Sequence, residues 1–172
     1  MLLAIDGYNF IKQSPELRRL EQIELQKARE GLIEELARYK RLKGHAILVV
    51  FDGWQAGGAA GRREKVRGIE VLFSRTGEKA DDVLKRLAAE KRGGITIVTS
   101  DNEVAFHAQK CGSPVISAAE FGERMEMAKY VDLKGGREEA APLGRGADTV
   151  KKGQSRRLPK SRRKNLAAKE KL

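Results

Sequence analysis

Four aspartates stand at the ends of apolar runs, and their placement is the clearest chemical signal in the chain. Asp6 follows the run at 2–5, Asp52 the run at 46–51, and Asp101 the run at 95–98 after a Thr-Ser step. Asp81, with Asp82 beside it, opens an apolar-striped segment that comes after the run at 69–73. A single aspartate behind a strand has an ordinary role: it accepts a backbone N–H bond and caps the next helix. Asp81 and Asp101 each fit that role alone. Brought together, five carboxylates repel, raise one another's pKa and destabilise the fold unless a cation compensates. An all-oxygen donor set suits Mg²⁺ or Mn²⁺, which keep several waters and accept phosphate oxygens. The chemistry that follows is phosphodiester hydrolysis, in which metal activates water and stabilises the leaving oxygen. One carboxylate then remains to take the water's proton. We expect Asp6, Asp81 and Asp101 to ligate directly, and Asp52 to ligate through water or to accept the proton.

The elements that must deliver these acids are legible from pattern. The runs at 2–5, 46–51, 69–73 and 95–98, with a shorter one at 115–116, are apolar and rich in branched side chains. They read as strands of a parallel sheet covered on both faces. Between them lie helical patterns, over about 23–43, 80–91, 102–110 and 118–129. Strands alternating with helices predict an open, doubly wound α/β sheet of five strands. In such a sheet ligands bind beyond the carboxyl ends of the strands, which is where the acids fall.

Composition sets the bounds. At 172 residues, one domain with a proper core is expected. Apolar content of 40% with 5% aromatic residues implies an aliphatic core. The N-terminus has no basic stretch leading into a long apolar one, so neither a signal peptide nor a membrane span is expected. Cys111 is the single cysteine, which excludes a disulfide framework or a cysteine metal cage and points to a reducing, cytoplasmic setting; it reads as a buried structural thiol. His45 and His107 are poorly placed to bind zinc.

The net charge of +11 is uneven: residues 145–172 carry eleven of the 35 Lys+Arg and two of the 24 acids, leaving 24 bases against 22 acids elsewhere. We therefore expect a globular domain over 1–134 and a basic, largely disordered segment over 135–172, with a short helix near 165–172. Arg156, Arg157, Arg162 and Arg163 in that segment suit a polyanion, the plainer reading being a solubilising tail. A second basic cluster, Arg62, Arg63, Lys65 and Arg67, follows a glycine-rich stretch at 55–61. It reads either as a loop draping over a phosphodiester backbone or as ordinary surface charge at a helix start.

Four motifs in order, IDGYN at 5–9, FDG at 51–53, TGEKADD at 76–82 and TSD at 99–101, closely resemble the YacP-like NYN-domain family, a branch of the PIN-like nucleases. The resemblance covers about 1–134. It implies a PIN-like three-layer αβα fold, a divalent-metal site and endoribonuclease activity on single-stranded RNA, with mRNA as substrate and the ribosome as an associated partner. By position it carries over Asp6, Asp52, Asp81 and Asp101 as the acidic site, Asn9 as the residue bracing Asp6, and Ser100 as a hydrogen-bonding neighbour of Asp101. Asp82 adds a second acid beside Asp81, so either is open as a ligand. No membrane partner and no organic cofactor are implied. Tyr8 and Trp54 adjoin the site and could stack on a base or simply pack.

Rival chemistries lack their residues. A haloacid-dehalogenase-type phosphatase needs a second Asp two positions after the first, where Tyr8 stands. No Walker phosphate loop occurs. A receiver domain needs a lysine after a late strand, and residues 113–117 offer none. Two alternatives remain: a non-catalytic RNA- or ribosome-binding module on the same fold, and a DNA-directed nuclease.

Overall fold

A computed structural model describes residues 1–53 and 61–135, together with Asn165. In chain order the elements are β1 (Leu2–Asp6), α1 (Gly7–Gln13), α2 (Pro15–Ile23), α3 (Leu25–Lys43), β2 (Ala46–Phe51), β3 (Arg63–Val66), β4 (Ile69–Phe73), α4 (Ala80–Lys91), β5 (Ile95–Val98), α5 (Asn102–Lys110), β6 (Val115–Ile116) and α6 (Ala118–Gly135).

Alternation along each strand splits the core into two layers. Leu3 and Ile5, Ile47, Val49 and Phe51, and Ile69, Val71 and Phe73 pack on one face with side chains of α1, α2, α3 and α6. Ala4, Leu48, Val50, Ile95 and Ile97 pack on the other with Val83, Leu84 and Ala88 of α4 and Val104 and Ala108 of α5. The result is a three-layer αβα sandwich. The sheet order is β3-β4-β2-β1-β5-β6, parallel throughout except that β3 runs antiparallel to β4.

The sheet has six strands where five were expected. The additional strand, β3, reads Arg-Glu-Lys-Val, with too little apolar content to register as a strand. A two-residue turn makes it. Val66 pairs with Ile69, and Arg67 and Gly68 between them have φ of 50° and 84°, the left-handed pair that closes a tight hairpin. Its exposed side chains are charged, which guards a sheet edge against pairing with another chain.

Two helices also went unread. The helix expected over about 23–43 is α3, and the unread α1 and α2 precede it, α2 being set off from α3 by Glu24, whose backbone is extended (φ −162°, ψ 124°). Ser14-Pro15 supplies a cap and a first-turn proline for α2. Cys111 is half-buried rather than buried, with its sulfur 3.8 Å from His107 Nδ1. Among the described residues no helix is long and apolar enough to cross a membrane.

Candidate active site

The chain crosses from β1 outward through β2 to β4, then returns to the other side of β1 with β5. Strand order thus reverses between β1 and β5, and the crevice beyond their carboxyl ends is the place where doubly wound sheets bind ligands. Asp6 ends β1, Asp52 lies one residue beyond β2, and Asp101, two residues after Thr99, is the cap that precedes α5. Asp81 is the second residue of α4. Asp6 lies centrally because β2 and β5 flank β1 on either side.

Three of the acids are oriented by backbone. Asp6 Oδ1 accepts the Asn9 N–H at 3.1 Å, capping α1, and its Oδ2 accepts the Thr99 hydroxyl at 3.5 Å. Asp52 Oδ1 accepts the Ala80 N–H, at the start of α4, at 2.6 Å. Asp101 Oδ1 accepts the N–H groups of Glu103 and Val104 at 2.8 and 2.9 Å, capping α5. These bonds cap helices in the ordinary way, and they also fix which way the carboxylates point.

Burial makes the set electrostatically strained. Asp6 is 6% exposed, and its pKa is pushed up to about 6, by burial first and then by the charges of Asp81 and Asp52, with the Asn9 N–H opposing. The Asp81 carboxyl is also raised, by burial and by the charges of Asp101 and Asp52, with Lys85 opposing. Asp82 is exposed and reaches back to accept the Lys79 N–H at 3.3 Å. Of the adjoining pair, Asp81 is therefore the member coupled to Asp6, Asp52 and Asp101. Among the described residues, no three His, Cys, Asp or Glu side chains are grouped so as to hold a metal ion. In chemical kind, the carboxylate oxygens of this set, partly desolvated and mutually repelling, suit a hard divalent cation, whose charge would offset that repulsion.

The polar residues around the acids form two tethers. Asn9 Oδ1 accepts the Ser100 N–H at 2.9 Å, tying α1 to the segment that carries Asp101. Ser100 was expected to bond beside Asp101, but its hydroxyl instead accepts the Ala118 N–H at 3.2 Å, at the start of α6. The hydroxyl that serves Asp101 is that of Thr99, which accepts the Asp101 N–H at 3.1 Å and is only 2% exposed. Thr99 therefore bridges Asp6 and Asp101. Ser74, 3% exposed at the end of β4, plays the matching part on the other flank. Its hydroxyl accepts the Gly53 N–H at 3.0 Å and donates to the Glu78 carbonyl at 2.7 Å, while its N–H donates to the Phe51 carbonyl at 2.9 Å. A Cβ on Gly53 would lie 1.9 Å from the Ser74 carbonyl oxygen, so only glycine fits there. Neither Thr99 nor Ser74 was singled out from sequence; the place of Thr99 two residues before Asp101 was the available signal, and Ser74 offered none beyond following an apolar run.

Tyr8 is not a stacking platform. It is 7% exposed, its ring lies 5.0 Å from that of Phe51, and its hydroxyl accepts the Arg29 Nε–H at 2.8 Å. Arg29 itself lies over the Tyr8, Phe51 and Phe73 rings. Trp54 falls outside the described residues, as do Arg156, Arg157, Arg162 and Arg163. Arg62, Arg63 and Arg67 have side chains 72, 65 and 63% exposed and pair with Glu64, Glu70 and Glu34. With exposed Lys65 they line β3 and its turn, on an edge strand rather than the loop or helix start expected.

A family profile described as the YacP-like NYN domain matches residues 3–166. The chain belongs to the YacP-like NYN domain family. The match runs beyond the domain boundary expected at 134. The uncharacterized protein YacP of Bacillus subtilis (strain 168) is 34% identical over 87 residues, 51% of each chain; the matched region thus spans about half the length of that relative. The crystal structure of Rae1 (YacP) from Bacillus subtilis is similar with a TM-score of 0.65 and 30% identity, covering 80% of both chains. A single-substitution variant of Rae1 gives a TM-score of 0.64 at 28% identity, covering 75% of this chain and 77% of that one. Membership in the NYN family brings an RNase-like fold, and proteins of that family are, at a coarse level, nuclease-like. Domains of the NYN and PIN-like type typically use divalent metals, and RNA is the substrate class that the family suggests.

Proposed function

We propose that this NYN domain is a divalent-metal-dependent endoribonuclease that cleaves single-stranded RNA, with mRNA as its substrate and the ribosome as the place where it acts. The observation that carries the reading is Asp6: a buried carboxylate at the switch point of the sheet, coupled to Asp52 and Asp81 and raised to about 6. Such a group is costly to ionise in an apolar site, and its presence there calls for a positive ligand.

Asp6, Asp81 and Asp101 would hold Mg²⁺ or Mn²⁺. An ion held there lowers the pKa of water and stabilises negative charge on the phosphodiester and its leaving oxygen. Asp52, held through one oxygen by the Ala80 N–H, accepts the proton of the attacking water. Thr99 and Asn9 keep the β1 and β5 ends in register, and Ser74 does the same for the ends of β2 and β4. Arg62, Arg63, Lys65 and Arg67, together with the arginine pairs at 156–157 and 162–163, bind phosphates outside the crevice, since weak surface ion pairs leave cations available to a polyanion.

The test is incubation of the purified chain with labelled single-stranded RNA and DNA in Mn²⁺, Mg²⁺ or EDTA, with and without ribosomes. Metal-dependent cleavage of RNA supports the proposal. Cleavage of DNA alone makes it a DNA-directed nuclease, and binding without cleavage under any condition makes it a non-catalytic RNA- or ribosome-binding module.

A further inference from the structure

An acid-lined crevice repels the phosphodiester that it must admit, so a cation close to the acids has a part to play. The basic β3 edge is not that cation, because β4 and β2 lie between it and β1. One face of the sheet carries α4 and α5, whose N-terminal ends lie at the crevice, with α4 packed on β1, β2 and β5. One turn beyond Asp81 on α4 stands Lys85, and a spacing of four places the two on one helix face. Its ammonium crosses to the Glu103 carboxylate on α5, two residues past Asp101. The two partners are unequal: the Lys85 side chain is 20% exposed and that of Glu103 is 81% exposed. The stem of Lys85 is therefore packed along the helix seam, while its partner stands in water. Its charge acts on both Asp81 and Asp82, and at Asp81 it opposes the effects of burial and of the neighbouring acids.

We propose that Lys85 is a substrate-binding residue of this site, whose ammonium leaves Glu103 to take a non-bridging oxygen of an RNA phosphate adjacent to the scissile one. The inference rests on the nuclease reading of the crevice and names a phosphate-binding group for it. The exchange costs little, because an ion pair with so exposed a carboxylate contributes little. The ammonium–phosphate pair that replaces it gains the same single-charge attraction, one helical turn from the acid that faces the substrate. A lysine suits the task, since a compact point charge on a flexible stem follows a phosphate without demanding one orientation. Glu103 holds the stem extended across the α4–α5 seam while the crevice is empty.

The rival role for the pair is a strut between α4 and α5. Binding of a short labelled single-stranded RNA, followed by anisotropy in EDTA across a salt series, separates the two without requiring cleavage. Lys85→Met is expected to weaken binding roughly fivefold, the size of one charge pair at a wet surface. It should also reduce the slope of log K against log salt by about 0.7, the loss of one phosphate contact on a single strand. Lys85→Arg restores the slope, Glu103→Gln leaves it intact, and none of the three loses Mn²⁺ binding measured calorimetrically. An unchanged slope in Lys85→Met overturns the proposal, and so does a Glu103→Gln variant that reproduces the Lys85→Met loss, which is the signature of a strut. A slope that falls in a protein that never cleaves RNA would instead overturn the nuclease reading and leave Lys85 as an RNA-binding residue.

Discussion

The two charged regions of this molecule use charge in opposite ways. At the carboxyl edge of the sheet, acids are partly or wholly buried, and Asp6, Asp52 and Asp101 are fixed by backbone N–H groups from helix starts. At the β3 edge, basic side chains stand largely in water and pair with glutamates across the surface. Burial strengthens the interactions of the first set and makes their geometry costly to disturb. Solvent screens the second and leaves its members exchangeable. One region therefore suits chemistry, which needs fixed groups, and the other suits a mobile polyanion, which needs only charge.

The largest expected effect comes from the acids. Asp52→Asn should lower RNA cleavage on the order of 10²–10⁴-fold, the usual worth of a positioned base, while Mn²⁺ still binds. Loss of Mn²⁺ binding in Asp52→Asn alone would contradict the division of roles. Buried tethers come next. Thr99→Val leaves the Asp101 N–H without its acceptor and Asp6 without its hydroxyl donor, and Ser74→Ala does the same to the Gly53 N–H. Each should cost about 1–3 kcal/mol in denaturant unfolding; Thr99→Val should also reduce Mn²⁺ affinity, which Arg63→Ala should not.

Asp6 gives a pH dependence of defined sign. Its folded pKa of about 6 lies above the ordinary 3.8, so the native state holds the proton more tightly than the unfolded chain does. Its contribution is thus full below about pH 4 and is lost as pH rises through 6. In EDTA, Asp6→Asn should make the protein more stable at pH 7 than the parent, by up to about 3 kcal/mol, with the advantage vanishing near pH 4. A parent that is the more stable at pH 7 in EDTA would mean that Asp6 is not strained. The smallest effect belongs to the β3 edge. Ala at Arg62, Arg63 and Arg67 should each change stability by less than about 0.5 kcal/mol, yet together flatten the salt dependence of RNA binding.

The positions of the acids were readable because apolar strands announce themselves and an aspartate at a strand end lies at a known edge of a parallel sheet. β1, β2, β4, β5 and β6 fall on the expected runs, since buried parallel strands leave little polar alternation to confuse them. β3 was hidden because its stability comes from a left-handed Arg67-Gly68 turn and from pairing with β4, neither of which shows in its own four residues. Tyr8 stayed open between stacking and packing because the partner that satisfies its hydroxyl, Arg29, lies 21 residues away. The choice between Asp81 and Asp82 depends on helix phase, since adjacent residues diverge by about 100° around an α-helix. Ser74 and Thr99 were invisible as tethers because a hydroxyl declares its partners only once strands from distant parts of the chain are side by side.

The central claim is that the acids around the β1–β5 crevice form a divalent-metal site. Calorimetric titration of Mn²⁺ at pH 7 into the parent protein, Asp6→Asn and Asp101→Asn tests it directly. Saturable binding to the parent, lost in both variants while both remain folded, is the predicted result. No binding to the parent, or equal binding to all three, would contradict it.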